Sequence, residues 1–465
     1  MTYMLTHRFA CLRRMVFVFV LAFALYPASG QELFSADQLK SDLQFYKTKL
    51  EENHPNLYLY SSKEQTDNLF DSLSGLITGP LTEKEFYRII TLTSQWVKDG
   101  HTLILPSAAA SGFHNRNSRF LPLQVGILQD KLVLKMNCTA GGFIPEGAVI
   151  TSLNGIPGTD IIRELAERQV RDGYNLSYAC WILDTYFREY YSFIFGHPDS
   201  FEITYEQEGK LYTATIPALG KDSIYYYRKK NYPAARFEKI PGTGLTLNTD
   251  SGHSTAIIKI RDFHNEVLKN EYRQSFKKTI GEFFSRIAAE KTEHLVLDLR
   301  DNQGGDIENG VTLLSYLLDK PFRVVNGYAC LKEGKIAPCH GPAMGIHEPA
   351  KQSFSGDLYV LINGGSFSNT AIVASCLKEN KRAVFIGTET GGNPAVLAGY
   401  AKDYELPHTK ISVQIPEKRF IMTSLAGNTG YGLKPDYPIP ASSGITATAA
   451  DEALQLALML IRQPH

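Results

Sequence analysis

Three stretches of this chain carry residue types suited to acyl-transfer chemistry, and each follows an apolar run. The first is Leu295-Val-Leu-Asp-Leu-Arg-Asp-Asn-Gln-Gly-Gly-Asp306. Glycines after a strand let backbone N–H groups approach a ligand closely, as an oxyanion site requires. The second is Leu361-Ile-Asn-Gly-Gly-Ser-Phe-Ser-Asn-Thr370. Ser368 falls where a strand has ended and a helix begins, so its hydroxyl is accessible and the neighbouring N–H groups sit at the positive end of a helix dipole. That suits an alkoxide nucleophile and a developing oxyanion. The plainer alternative is that Ser366 or Ser368 caps the helix. The segment does not match the G-x-S-x-G elbow of the α/β-hydrolases. The third stretch, Ala383-Val-Phe-Ile-Gly-Thr-Glu-Thr-Gly-Gly-Asn-Pro394, is another strand running into a glycine-rich turn. Three such turns at the ends of three strands could converge on one site.

The elements that must position these turns alternate in type. Ala256–Ile260 and His294–Leu299 read as strands, as do Leu358–Ile362 and Ala383–Ile386. Tyr272–Glu290, Gly310–Leu318 and Asn369–Lys378 read as helices. Such βαβα alternation predicts an α/β core with a parallel or mixed sheet. Upstream, residues 31–98 read mostly helical. One periodic segment runs from Ser35 to about Asn53. A second begins at Leu81, has a Thr82/Glu85 capping box, and ends near Val97-Lys-Asp-Gly100. Residues 118–218 read as short strands. They include Gly147-Ala-Val-Ile-Thr-Ser-Leu-Asn-Gly-Ile-Pro-Gly158 and are interrupted by an aromatic-rich stretch, about 171–197, expected to be a helical pair. Residues 219–250 read as a polar connector.

Composition excludes several classes. The chain has 465 residues, 43% hydrophobic and 21% charged, which rules out wholesale disorder and fibres. The 48 Lys+Arg balance 48 Asp+Glu, so no net field draws nucleic acid or an anionic membrane. Residues 1–30 hold Arg8, Arg13 and Arg14 and no acid, then an apolar run from Met15 to Leu25 and small residues to Gly30. This is the pattern of a cleaved signal peptide, and the run is short for a membrane span. The expected location is therefore secreted or periplasmic. Cleavage leaves five cysteines; Cys330 and Cys339 flank a loop and are either a local disulfide or two buried thiols. No metal-site spacing is present, and no cofactor or metal is expected.

Taken in order, the three stretches resemble the tail-specific (C-terminal processing) serine peptidases, which include the tricorn protease core. That family shows "D-L-R-x-N-x-G-G", a small-residue stretch around the nucleophile, "G-x-x-T-x-G" and finally "G-(V/L)-x-P-D", here Gly432-Leu-Lys-Pro-Asp436. The strand and Asn-Gly turn at 147–155 resemble a PDZ domain, which takes an extended peptide by adding it to a sheet edge. The resemblance implies four regions. They are a signal peptide (1–30), an N-terminal helical region (31–112), a PDZ-like domain with a helical insertion (113–219), and a crotonase/ClpP-like α/β protease core (220–465). It implies Ser368 as nucleophile and the N–H groups of Gly304 or Gly305 and of Asn369 as the oxyanion hole. One branch of the family uses a Lys after the "G-x-x-T-x-G" glycines, but that slot here is Asn393. The tricorn-like branch uses a His from before the PDZ module. Asp99-Gly-His-Thr102 matches that place, making His101 the candidate base. The orienting serine and Glu of that branch are not copied, and Glu389 or Asp99 are the candidate substitutes. The implied activity is a serine endopeptidase acting on extended polypeptide, with capture in the Leu121–Ile127 region by fold analogy. The competing reading is a peptidase-like protein that binds peptides without cutting them. A crotonase-type acyl-CoA enzyme shares the core but fits poorly with export.

Overall fold

The computed structural model describes residues 32–141, 144–233, 239–252, 254–422, 427–439 and 450–463. The expected signal peptide lies outside them. The chain divides into Met1–Leu33 and Phe34–His465, and the helices and sheets that build the site all belong to the second unit.

Helices Ala36–Asn53, Lys63–Gly75 and Glu83–Ile90 each start at a reciprocal capping box, Ser35/Gln38, Ser62/Gln65 and Thr82/Glu85. In each, the cap oxygen and the side chain three residues on satisfy N–H groups that the helix itself leaves open. The last helix does not run unbroken to Gly100. It tightens at Thr91–Thr93, resumes over Ser94–Val97, and stops where Lys98 turns left-handed (φ 51°). That stop turns Asp99-Gly100-His101 off the helix axis.

Residues 123–217 form an antiparallel sheet in the order Leu123–Leu128, Lys131–Asn137, Val149–Leu153, Ser200–Gln207, Lys210–Pro217. Asn154 and Gly155, both at positive φ (49° and 75°), make the expected tight turn to Ile156. The aromatic stretch is the expected pair of helices, running without a loop over Ser177–Ile194 and separated by a kink where Tyr186 leaves helical geometry. It lies along the outer strand. The Ile127 N–H donates to Asp184 Oδ1 (2.6 Å), and Leu123 O accepts from Arg188 (3.1 Å). The Leu121–Ile127 edge is thus already covered by the chain's own helix. The segment read as a connector contains a helix, Lys221–Asn231, whose Ile224 packs with Phe120 and Cys138.

The core sheet runs Leu245–Thr249, Thr255–Ile260, His294–Asp298, Asp357–Ile362, Val384–Gly387, Tyr437–Pro438, and only its first pair is antiparallel. Continuous apolar runs such as Leu295-Val-Leu297 are what a sheet covered on both faces demands. One face buries Val296, Tyr359, Leu361 and Ile386 against Ala453 and Ala457 of the last helix, Glu452–Arg462. Helices Phe276–Glu290, Ile307–Leu317 and Asn369–Glu379 pack among the strands. The first starts four residues later than periodicity suggests, because Arg273 takes φ 55° and ends a preceding turn at Leu268–Tyr272.

A further sheet has no clear signal in the sequence. It runs Lys335–Cys339, Val325–Lys332, Ser412–Met422, Val396–Glu405, and Cys330 and Cys339 are bonded across its first hairpin. Ile104–Leu105 adds to Ser412–Val413, and the Gln414 N–H donates to Leu103 O (2.8 Å). This pairing ties the residues just after His101 to the C-terminal half.

Candidate active site

Ser368 stands between the strand Asp357–Ile362 and the helix Asn369–Glu379, at φ 55° and ψ −124°. A serine with positive φ is strained, and such strain collects where a side chain must be aimed. The turn before it is held by side chains. Asn363 Oδ1 accepts from the N–H groups of Asp301 and Gly365 (both 3.0 Å), and Ser366 Oγ donates to Leu299 O (2.9 Å). The Phe367 N–H donates to Asn302 O (3.1 Å). The N–H groups of Gly391 and Gly392 donate to Ser366 O (3.1 and 3.3 Å), so all three glycine-rich turns are laced together, with Ser366 buried in the seam. Ser368 caps nothing with its side chain, although it occupies the cap position. Its Oγ instead lies 3.0 Å from His101 Nε2, across 267 residues of sequence.

His101 is held by its own turn. Its backbone N–H donates to Asp99 Oδ1 (2.8 Å), which also accepts from Thr102 Oγ1 (3.0 Å). Behind Thr102, His54 Nδ1 accepts the Asn56 N–H (3.0 Å), and its Nε2 lies 2.9 Å from Thr102 Oγ1. The His101 ring tilts over Phe367 (centroids 4.6 Å apart), and Phe367 stacks on Tyr178 (3.9 Å) of the aromatic helix. Gly100 is required here because a Cβ would sit 2.4 Å from the Phe367 ring. Burial lowers the His101 pKa below the usual imidazole value, an effect the Asp99 charge opposes. The ring is neutral at neutral pH, the form that can accept a proton. His101 Nδ1 is buried and has no partner among the described residues.

Asp172, which sequence reasoning missed, comes to the same place. Its Oδ1 accepts the Gly100 N–H (2.9 Å) and its Oδ2 the Asn393 N–H (3.2 Å). Asp99, His101 and Asp172 each place one polar atom within 4.8 Å of the others. They could in principle share a cation, but both carboxylates accept backbone N–H groups and the imidazole faces Ser368, a poor donor set. Burial would raise the Asp99 carboxyl, but His54 and then His101 outweigh it and hold it low. Burial first, and the Asp99 charge second, push Asp172 up to about 8. In the sequence Asp172 falls at the start of the aromatic stretch read as helical; its burial comes from long-range packing.

The remaining expectations divide. The Gly304 N–H donates to Asn302 Oδ1 (2.9 Å), so it is not available to an oxyanion. The N–H groups of Gly305 and Asn369 have no acceptor among the described residues. Glu389 accepts the Gly432 N–H (2.7 Å) and makes no hydrogen bond or ion pair with His101 among the described residues. Asn393, in the lysine slot, is fully buried and donates to Tyr60 OH (3.0 Å) and Asn428 Oδ1 (2.8 Å).

Residues 254–439 match the model of peptidase family S41. The carboxyl-terminal-processing peptidase 2 (chloroplastic) of Arabidopsis thaliana is 30% identical over 186 residues, 37% of this chain and 31% of that protein. The tail-specific protease of Haemophilus influenzae is 28% identical over 156 residues, 33% of this chain and 19% of that protein. The chain thus spans about a third or less of these relatives. Among solved structures, mature CPAF superposes with a TM-score of 0.63 at 15% identity, covering 92% of this chain and 96% of that one. Mature CPAF complexed with lactacystin gives 0.64 at 14% identity, covering 91% and 97%. At such identity the likeness is one of fold.

Proposed function

We propose that this chain, which carries the serine-peptidase domain of family S41 across residues 254–439, is an exported endopeptidase that cuts extended polypeptide through an acyl-enzyme on Ser368. The observation that carries this reading is the 3.0 Å approach of His101 Nε2 to Ser368 Oγ, on a serine backbone strained to φ 55°.

In this reading Ser368 Oγ attacks the scissile carbonyl carbon while its proton passes to His101 Nε2. The oxyanion forms against the N–H groups of Gly305 and Asn369, the second at the start of a helix. Collapse breaks the C–N bond, and the departing amine takes the proton from His101. Water then attacks the acyl-enzyme with His101 as base again, which releases the acid and returns the proton to Ser368.

Export is supported by the basic, then apolar, residues 1–30 and by the Cys330–Cys339 bond, which suits an oxidising compartment. No helix among the described residues is long and apolar enough to cross a membrane. For the PDZ-like sheet we retain an extended peptide as ligand but not at Leu121–Ile127, which the helix Ser177–Ile194 covers. The opposite edge, Lys210–Pro217, is exposed along most of its length.

The second reading, a peptide binder that does not cut, draws on one observation, the partnerless His101 Nδ1. Labelling by a fluorophosphonate separates the two. The full chain should be labelled, Ser368→Ala not at all and His101→Ala at least a hundredfold more slowly, each with an unchanged circular dichroism spectrum. Labelling that survives in Ser368→Ala, or none in the wild type, overturns the peptidase reading.

A further inference from the structure

A neutral imidazole that takes a proton at Nε2 must carry its own proton on Nδ1. For His101 that N–H would be buried with nothing to accept it. An unmet buried donor is destabilising, and here it would favour the wrong tautomer, with the lone pair turned away from Ser368. Among the described residues, two carboxylates lie close to the His101 ring, Asp99 and Asp172. The Oδ1 of Asp99 is committed to its own turn. It accepts from His101 N–H and Thr102 Oγ1 and lies 3.7 Å from His54 Nε2. Asp172 arrives from a different segment and is tethered to the residue beside His101 through the Gly100 N–H. Each Asp172 oxygen accepts one backbone bond and keeps a second lone-pair direction open.

Resting on the peptidase reading, we infer that Asp172 is the positioning residue for His101. Once ionised, its carboxylate accepts the Nδ1–H and so aims the Nε2 lone pair at Ser368. One ring nitrogen of His101 and one Asp172 oxygen lie within 4.8 Å of each other, and a small side-chain rotation or one bridging water brings Nδ1 to the carboxylate, as unliganded sites of this kind commonly tighten on binding. Two buried carboxyls this close do not both ionise easily. Asp99 holds the charge because His54 faces it, so Asp172 keeps a proton in the resting molecule and its loss switches the base on. The titratable groups facing Asp172 are Asp99 and His101 from the turn, Tyr60 from the N-terminal region and Tyr178 from the aromatic helix. Burial drives both tyrosines well above their usual value, so neither titrates near neutrality. This arrangement predicts an acid limb set by a carboxyl rather than by the imidazole.

The experiment is the rate of fluorophosphonate labelling of the full chain between pH 5 and 10. The wild type should show one ascending limb with its midpoint near 8, above the ordinary histidine range. In Asp172→Asn the limb should vanish and labelling at pH 9 should fall at least tenfold. Asp172→Glu should restore a limb in part. In Asp99→Asn the limb should move to lower pH, because the like charge that raises Asp172 is gone; a merely structural Asp172 would not respond in that way. If Asp172→Asn does not fold, the wild-type limb and its displacement in Asp99→Asn decide. A wild-type midpoint below about 6.5, or a limb carried unchanged into Asp172→Asn, overturns the inference while leaving Ser368 as nucleophile. Absence of labelling at every pH overturns the peptidase reading itself.

Discussion

Gly304 offers the sharpest test of how the site is built. Its φ is +97°, and a Cβ placed on it would sit 2.7 Å from Ser368 Cβ, 2.7 Å from the Asn369 nitrogen and 2.9 Å from Phe367 O. Ala at such a φ costs about 1–3 kcal/mol in backbone strain. Forcing a methyl into a filled space adds about 1–3 kcal/mol more. The neighbours are backbone and a short side chain, not the far end of a flexible one, so relief requires the Ser368 turn itself to move. Reaching ordinary contact means opening the gap by about 0.7 Å, and displacements near 1 Å at a reacting atom cost about 10²-fold in rate. Gly304→Ala should therefore lose about 2–6 kcal/mol of stability by urea unfolding. It should also be labelled by a fluorophosphonate about 10²-fold more slowly under conditions where it remains folded. Gly79→Ala, with nothing within 4 Å of its added methyl, is the control and should match the wild type in both assays. A Gly304→Ala protein with wild-type unfolding midpoint and labelling rate would refute the close packing of the two turns on which the site rests.

Two predictions concern stability against pH. Asp298 is buried, and although burial alone would raise it, Arg300 and Lys259 hold it down to about 2. Its contribution is present above the unfolded carboxyl value near 3.8 and is lost as pH falls through 2. Acid unfolding should therefore steepen between pH 4 and 2, by about 2 kcal/mol in total, and less so in Asp298→Asn; identical acid profiles would count against the pair. Asp172 has the opposite sign. Its pKa is raised on folding, so its contribution is complete below the unfolded value and is lost as pH rises through about 8. Urea midpoints should fall between pH 6 and 9 in the wild type and stay level in Asp172→Asn, and a level wild-type profile would refute the buried neutral carboxyl.

What can be read from the sequence is local. The capping boxes at Thr82 and upstream, the apolar strand Leu295-Val-Leu297 and the strand-to-helix position of Ser368 all follow from patterns spanning a few residues. What cannot be read depends on partners far away in sequence. Val396–Glu405 is a ten-residue strand, but Tyr400 at φ 55° interrupts its register with Pro416 and Lys418, and its two ends differ in burial, so no clean alternation marks it. Gly304 carries the expected sequence pattern, yet its N–H is taken by an Asn302 side chain two residues away, a choice of rotamer rather than of pattern. Asp172 falls in the aromatic stretch read as helical and carries no signal of its own. It becomes buried only because Gly100 and Asn393, from opposite ends of the chain, close over it.

This dependence has a functional consequence. Ser368 and His101 are 267 residues apart, and nothing local to either fixes their distance. Their approach is set by three long-range ties. Ile104–Leu105 joins the strand Ser412–Met422, Asp172 bridges Gly100 to Asn393, and Asn393 reaches Tyr60. Each tie joins the N-terminal region to the C-terminal half, and none lies within the S41 segment alone, residues 254–439. Strand pairing is non-local, so it forms only after the chain has met the entropy cost of closing the long loop between its partners. The nucleophile turn can therefore fold with its sheet before the base arrives, whereas the base cannot be aligned until both halves have docked. On the proposed peptidase reading, the N-terminal helical region is a structural part of the catalytic site, and proton transfer is confined to the fully assembled chain.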